Sequence, residues 1–128
     1  MLLRTGLVLK AILLTLLSSA VAAQEPQTNY KLVDAGSSSH STLGHGIIMI
    51  IVPEPMPKGG IAGEIVEQAL LPICQYYAPQ VIPLVLEKAS LKDAEFIGVR
   101  VQSSSKPVGR YVMQAYSIEG NACGEPLN

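Results

Sequence analysis

The two histidines, His40 and His45, are the residues with the most versatile chemistry in this chain. Together with Asp34 they could supply ligands to a transition-metal ion, which takes three or four protein ligands at defined spacing. Both histidines lie in a polar segment rich in serine and glycine, with no free cysteine to complete a ligand set. We therefore predict solvated loop histidines, and neither a metal site nor a bound cofactor.

A hydrolase is the second chemistry that this segment suggests, because residues 37–39 are serines that stand between Asp34 and His40. A nucleophilic serine needs a rigid turn and an oxyanion hole, and the chain contains no Gly-x-Ser-x-Gly motif. We predict no catalytic residue. A small metal-dependent enzyme or hydrolase that uses His40 and His45 stays open as the alternative.

Three residues around a predicted hairpin, Arg100, Arg110 and Tyr111, are the candidates for an interaction surface. Arginine and tyrosine dominate binding energy at protein interfaces, which suits a non-catalytic protein-interaction or accessory module of the cell envelope. With Lys106, the two arginines make three basic groups, which are too few for a nucleic-acid footprint in a chain whose net charge is −1, or −3 without residues 1–23. The expected partner is an envelope protein, and the sequence does not predict an oligomeric state.

The envelope location is inferred from residues 1–23, which have the pattern of a signal peptide. Arg4 and Lys10 provide the positive charge, residues 11–17 are apolar except for Thr15, and small residues precede Gln24. An uncleaved anchor is the alternative, but Lys10 interrupts an apolar stretch that is short for a span. Cleavage would leave a chain of net charge −3 with no membrane span, in the periplasm or outside the cell.

The two cysteines, Cys74 and Cys123, are expected to form one disulfide in an oxidising compartment. Their spacing is not that of a catalytic Cys-x-x-Cys pair. Two free thiols, one buried and one exposed, are the alternative.

Chain patterning predicts a single α+β domain over residues 47–128, preceded by a polar flexible arm over residues 24–46. Residues 47–52 are a continuous apolar run typical of a buried strand, and residues 53–60 form a Pro/Gly-rich loop. Apolar residues recur at helical spacing from about Ile61. Because interior prolines cost about 3 kcal/mol each, we predict a helix to about Tyr77 kinked at Pro72, then a second short helix.

Two further strands are predicted at residues 96–102 and 110–119, joined as a hairpin through a serine-rich turn. The predicted fold is therefore a small antiparallel sheet packed on a Pro-kinked helical segment and held by one disulfide. The sequence does not determine where the strand at residues 47–52 joins this sheet.

One stretch of the chain resembles a known family. The stretch runs from Leu-Pro-Ile-Cys at residues 71–74 through Pro-Val-Gly at 107–109 to Gln-Ala-Tyr-Ser-Ile-Glu-Gly at 114–120, and it ends at Cys123. It is similar to a family of small exported Gram-negative bacterial proteins known as a domain of unknown function. The resemblance covers residues 64–125; it departs at residues 103–106 and lacks a tryptophan near the last cysteine. It implies a bacterial, periplasmic location and no particular activity.

Overall fold

The strands at the centre of the sheet determine the architecture. A computed structural model describes residues 27–106 and 109–128, so the predicted signal peptide lies outside the described residues. The elements run along the chain as β1 Asn29–His40, β2 Gly44–Glu54, α1 Glu64–Lys88, β3 Phe96–Gln102, β4 Tyr111–Glu119 and β5 Ala122–Leu127. They form one five-stranded sheet in the order β1-β2-β3-β4-β5.

The sheet is mixed, which corrects the predicted antiparallel arrangement. Strand β2 pairs with β3 in parallel, while the other three pairs of neighbouring strands are antiparallel. Two adjacent parallel strands need a crossover connection, and α1 supplies it. The apolar run in β2 divides between the two faces of the sheet: Ile47, Met49 and Ile51 are buried against the helix, while Ile48 and Ile50 are half-buried on the opposite face.

The core lies between α1 and one face of the sheet. Alternate residues of β2 and β3 point toward the helix and are fully buried, as are the helix residues that meet them. The inner positions are Ile47, Met49, Ile51, Ile97, Val99 and Val101 from the strands, with Val66, Ile73, Cys74, Val81 and Ile82 from the helix.

The helical segment is one continuous 25-residue helix, so the prediction of two helices is wrong. Pro72, Pro79 and Pro83 all lie inside α1, and all three are exposed. Spacings of seven and four residues place them on one stripe of the helix. The carbonyls that they leave unpaired therefore face water, which can hydrate them. The kink at Pro72 stays a prediction.

By length and composition alone, α1 is the one helix in the described part of the chain that could cross a membrane. Core packing also explains the apolar composition of α1, because one side of the helix packs on the sheet. The buried side is centred on Val66, Leu70 and Cys74, whereas Ile65 is about half exposed.

The predicted polar arm is wrong for residues 29–40, which form β1 and pair with β2 from Asn29 to His40. Pairing also extends β2 beyond residues 47–52 in both directions, through Pro53. Strand β1 could not be predicted from the sequence for a physical reason. A bulge at Val33 shifts the alternation of inward residues from Tyr30 and Leu32 to Ala35, so no period of two is readable.

The C-terminal strand β5 was also not predicted. Gly120 has a φ of +66°, in the left-handed region that favours glycine, and Gly120 and Asn121 form a turn between β4 and β5. A Gly-Asn pair between two strands is a known hairpin signal, so the sequence did contain the evidence.

The predicted disulfide is confirmed: Cys74 in α1 is bonded to Cys123 in β5. The bridge joins the buried side of the helix to the far edge strand, 49 residues apart in sequence. A disulfide of this kind indicates an oxidising compartment rather than the cytoplasm.

Removing the bridge should lower the free energy of unfolding by roughly 4 kcal/mol, because a cross-link over 49 residues restricts the unfolded chain. Urea unfolding of a Cys74→Ala/Cys123→Ala variant against the oxidised protein measures this loss. A loss below about 1 kcal/mol would contradict a stabilising role for the bridge.

Gly46→Ala should destabilise the protein by about 1–3 kcal/mol, because a Cβ at Gly46 would lie 2.3–2.4 Å from the buried Phe96 ring. The matched control is Gly36→Ala in the neighbouring strand, where an added Cβ meets nothing within 4 Å. Urea unfolding should separate the two variants. Equal stabilities would show that the Phe96 ring does not press on Gly46.

Candidate interaction surface

The sheet face opposite α1 is where the predicted interaction residues lie. Alternate residues of β2, β3 and β4 point to this face, and the ladder register places them side by side. Arg100 is paired with Met113 and with Ile50, and Tyr111 lies two pairs further along, opposite Gln102. We call Ile48, Ile50, Arg100, Tyr111 and Met113 the sheet-face patch.

Arg100 and Tyr111 are in direct contact within this patch. The guanidinium carbon of Arg100 lies 3.7 Å from the centroid of the Tyr111 ring, which is a cation–π stack. The planar guanidinium covers the ring face and keeps its remaining N–H donors free for another partner.

A buried glutamine holds this stack in place. The Arg100 Nε donates a hydrogen bond to Gln102 Oε1 at 3.0 Å, and Gln102 Nε2 donates to the Ser104 carbonyl at 2.8 Å. Gln102 is only 4% exposed, so its amide has few alternative orientations. The guanidinium is therefore fixed from one side by Gln102 and from the other by Tyr111.

The apolar part of the patch surrounds Gly98. The ends of the Met113 and Ile48 side chains lie over this glycine, at 2.7 Å and 2.8 Å from where a Cβ would stand. Met113 is 42% exposed and Tyr111 is 51% exposed, so both present apolar surface to solvent. Methionine, tyrosine and arginine are enriched in protein–protein interfaces.

Arg110 is the predicted surface residue that the structure leaves outside the stack. It is exposed and directly precedes β4. Among the described residues, the salt bridge joins Lys31 to Glu54 and the cation–π contact joins Arg100 to Tyr111, so neither involves Arg110. Lys106, at the end of the turn after β3, is also exposed and adds a second positive charge near this end of the hairpin.

The two histidines do not come together as a metal site would require. His40 is opposite Gly44 in the β1–β2 ladder and Ser39 is opposite His45, so the histidines lie on opposite faces of the sheet. Asp34 shares the face of His40 but lies six residues away along an extended strand, about 20 Å. The described residues contain no group of three or more metal-ligating side chains.

His45 instead contacts a serine, since Ser39 Oγ and His45 Nδ1 are 3.0 Å apart. This resembles the nucleophile and base of a hydrolase, but both residues are exposed at the sheet end. In the described part of the chain no carboxylate lies within 4.0 Å of the imidazole to orient it. We therefore interpret the Ser39–His45 contact as a hydrogen bond that links β1 to β2 beside their connecting turn.

The other tyrosines have separate positions. Tyr77 donates a hydrogen bond to the Tyr30 carbonyl at 2.6 Å and joins α1 to β1. Burial raises the pKa of the Tyr116 hydroxyl on the helix side of the sheet. Tyr76 is 69% exposed on the helix surface, away from the patch.

Sequence reasoning identified Arg100 and Tyr111 but missed Met113, Ile48 and Ile50. The signal for Met113 was present, because residues two apart in a strand share a face and Tyr111 was already a candidate. The contribution of β2 was not readable, since it depends on the parallel pairing with β3.

Comparison of the chain with protein-family models, with curated proteins and with solved structures finds no significant match. The resemblance to the exported bacterial family therefore stays a prediction. The functional argument depends on the site alone.

Zinc should bind to this protein no more tightly than to a His40→Ala/His45→Ala variant, because the two imidazoles lie on opposite faces of the sheet. Titration calorimetry with zinc measures both affinities. Stoichiometric micromolar binding that disappears in the double variant would contradict this geometry and favour the metal-dependent alternative.

Proposed function

We propose that this protein is a non-catalytic interaction module of the cell envelope, which docks on another envelope protein through the sheet-face patch. The observation that carries the proposal is the Arg100–Tyr111 stack beside the exposed Met113. Such a cluster has the composition of an interface hot spot.

The patch is pre-organised, and this supports a docking role. Gln102 orients Arg100 by a hydrogen bond, and Tyr111 orients it by stacking. Binding then costs less side-chain entropy than it would for a free arginine.

Charge indicates the kind of partner. Arg100, Lys106 and Arg110 make the hairpin end locally positive in a chain of net charge −1. The complementary partner surface has one or more carboxylates beside an apolar depression that receives Tyr111 and Met113. The carboxylate would pair with the N–H groups of Arg100 that the stack leaves free.

The periplasm or the extracellular space is the proposed location. The pattern of residues 1–23 supports export, and the Cys74–Cys123 bridge is compatible with either compartment.

A small metal-dependent enzyme or hydrolase is the alternative, and the Ser39–His45 hydrogen bond is the one observation on its side. The exposure of both residues and the separation of the histidines favour the interaction module.

Tyr111→Ala should reduce capture of the envelope partner about tenfold or more, which is the typical effect of removing an interface tyrosine. Arg110→Glu should also weaken capture, because it reverses a charge beside the patch. The measurement is crosslinking in the native host, with a photoreactive group at position 113 and quantitative mass spectrometry of the captured protein.

Tyr76→Ala is the matched control, since it removes an equally exposed tyrosine from the helix side of the molecule. It should leave capture unchanged, and all three variants should keep a thermal midpoint close to that of the parent. Capture that is insensitive to both Tyr111→Ala and Arg110→Glu would exclude the patch. Turnover of a small substrate that His40→Ala or His45→Ala abolishes would exclude the module.

A further inference from the structure

The two edges of the sheet differ in how they are protected. Strand β5 is six residues long, contains Pro126 and pairs irregularly with β4. The first half of β1 carries Lys31 and the bulge at Val33. Short strands, prolines, charges and bulges all discourage another strand from pairing with an edge.

The second half of β1 has no proline and no bulge, and its one carboxylate, Asp34, lies at its first position. Residues 34–40 pair with β2 in one unbroken register, and residues 35–39 read Ala-Gly-Ser-Ser-Ser, without charge or proline. The outer side of this segment presents backbone N–H and C=O groups that β2 does not use. Such an edge is complementary to another extended strand.

We propose that this edge binds a second copy of the same chain. The two β1 strands pair antiparallel about a two-fold axis at Ser37, which joins the two sheets into one of ten strands. This dimer goes beyond the proposed function, because it does not use the sheet-face patch.

Hydrogen-bond complementarity between Asp34 and His40 favours a second copy as the partner. The regular segment is bounded by the bulge at Val33 and by the turn that starts at Ser41. The symmetric register that uses all seven residues of this segment is centred on Ser37, and it places Asp34 of each copy opposite His40 of the other. Residues directly opposite each other in a ladder share a face, so two acid–imidazole pairs form.

The hydrogen bonds of His40 suit this pairing. The backbone N–H groups of Thr42 and Leu43 both donate to His40 Nδ1 at 3.2 Å. The neutral ring therefore carries its proton on Nε2, which can donate to a carboxylate. Asp34 accepts from the Ala35 N–H through Oδ1, which leaves Oδ2 as the acceptor for the second copy.

The helix side of the same edge supplies apolar area. A cavity of about 650 Å³ lies between β1 and the last turns of α1, and Leu32, Ala35, Val81, Leu84 and Val85 contribute to its lining. Leu84 is 65% exposed there. A second β1 and α1 at this edge would remove that apolar lining from water, which favours association.

Ser37→Cys tests the register directly. Opposite residues at the two-fold axis have Cα atoms about 4.5–5.5 Å apart, within the range that a disulfide bridges. Mild oxidation of the purified protein should convert this variant to a covalent dimer linked through residue 37. Ser105→Cys, in the exposed turn after β3, is the matched control and should stay largely monomeric on non-reducing gels.

A charge swap tests the pairing of Asp34 with His40. Sedimentation equilibrium of the parent should show a dimer. Asp34→His and His40→Asp should each weaken the dimer roughly tenfold or more, because like groups then face each other. The double variant Asp34→His/His40→Asp should restore the affinity, since each acid again faces an imidazole.

Three results would overturn the proposal. They are a monomeric mass for the parent at its highest soluble concentration, equal crosslinking of the two cysteine variants, and a double swap that stays as weak as its single variants. None of them bears on partner capture through Tyr111, so failure of the dimer and failure of the proposed function are distinguishable.

Discussion

The parallel pairing of β2 with β3 is the constraint on which the rest of this structure depends. Two adjacent parallel strands cannot be joined by a tight turn, so the chain between them must cross over the sheet, and it does so as α1. That crossover buries the inner residues of both strands and brings Cys74 to the side of β5. A single helix covers a single face, and the opposite face is left for Arg100, Tyr111 and Met113.

Local patterns in the sequence predicted the elements more successfully than their arrangement. The strand at residues 96–102, the helical character of the segment around Cys74 and the disulfide itself follow from periodicity and from cysteine count. The parallel pair could not be inferred this way, because strand order depends on contacts distant in sequence. The prolines misled for a similar reason: their cost depends on whether the freed carbonyls face water, and only the packed helix determines that.

The same difference between local patterns and strand arrangement applies to the candidate site. Arg100 and Tyr111 were accessible to sequence reasoning as polar and aromatic residues near a hairpin, and strand alternation would have added Met113. Ile48 reaches the patch only because β2 lies beside β3. The histidines stand on a regular hairpin that directs them to opposite faces, and not on the flexible arm that the sequence predicted.

The edge of β1 and the open sheet face are connected by symmetry. A two-fold axis through Ser37 and perpendicular to the sheet leaves both copies of α1 on one side and both sheet-face patches on the other. Each patch alone offers few anchoring side chains, and a small contact of this kind binds weakly. Two patches on one rigid sheet convert the second contact into an intramolecular step, which raises the overall affinity for a partner that has two acceptor sites. The unprotected half of β1 is thus a liability for an isolated chain, and in the proposed dimer it would bring two copies of the proposed docking surface onto one sheet.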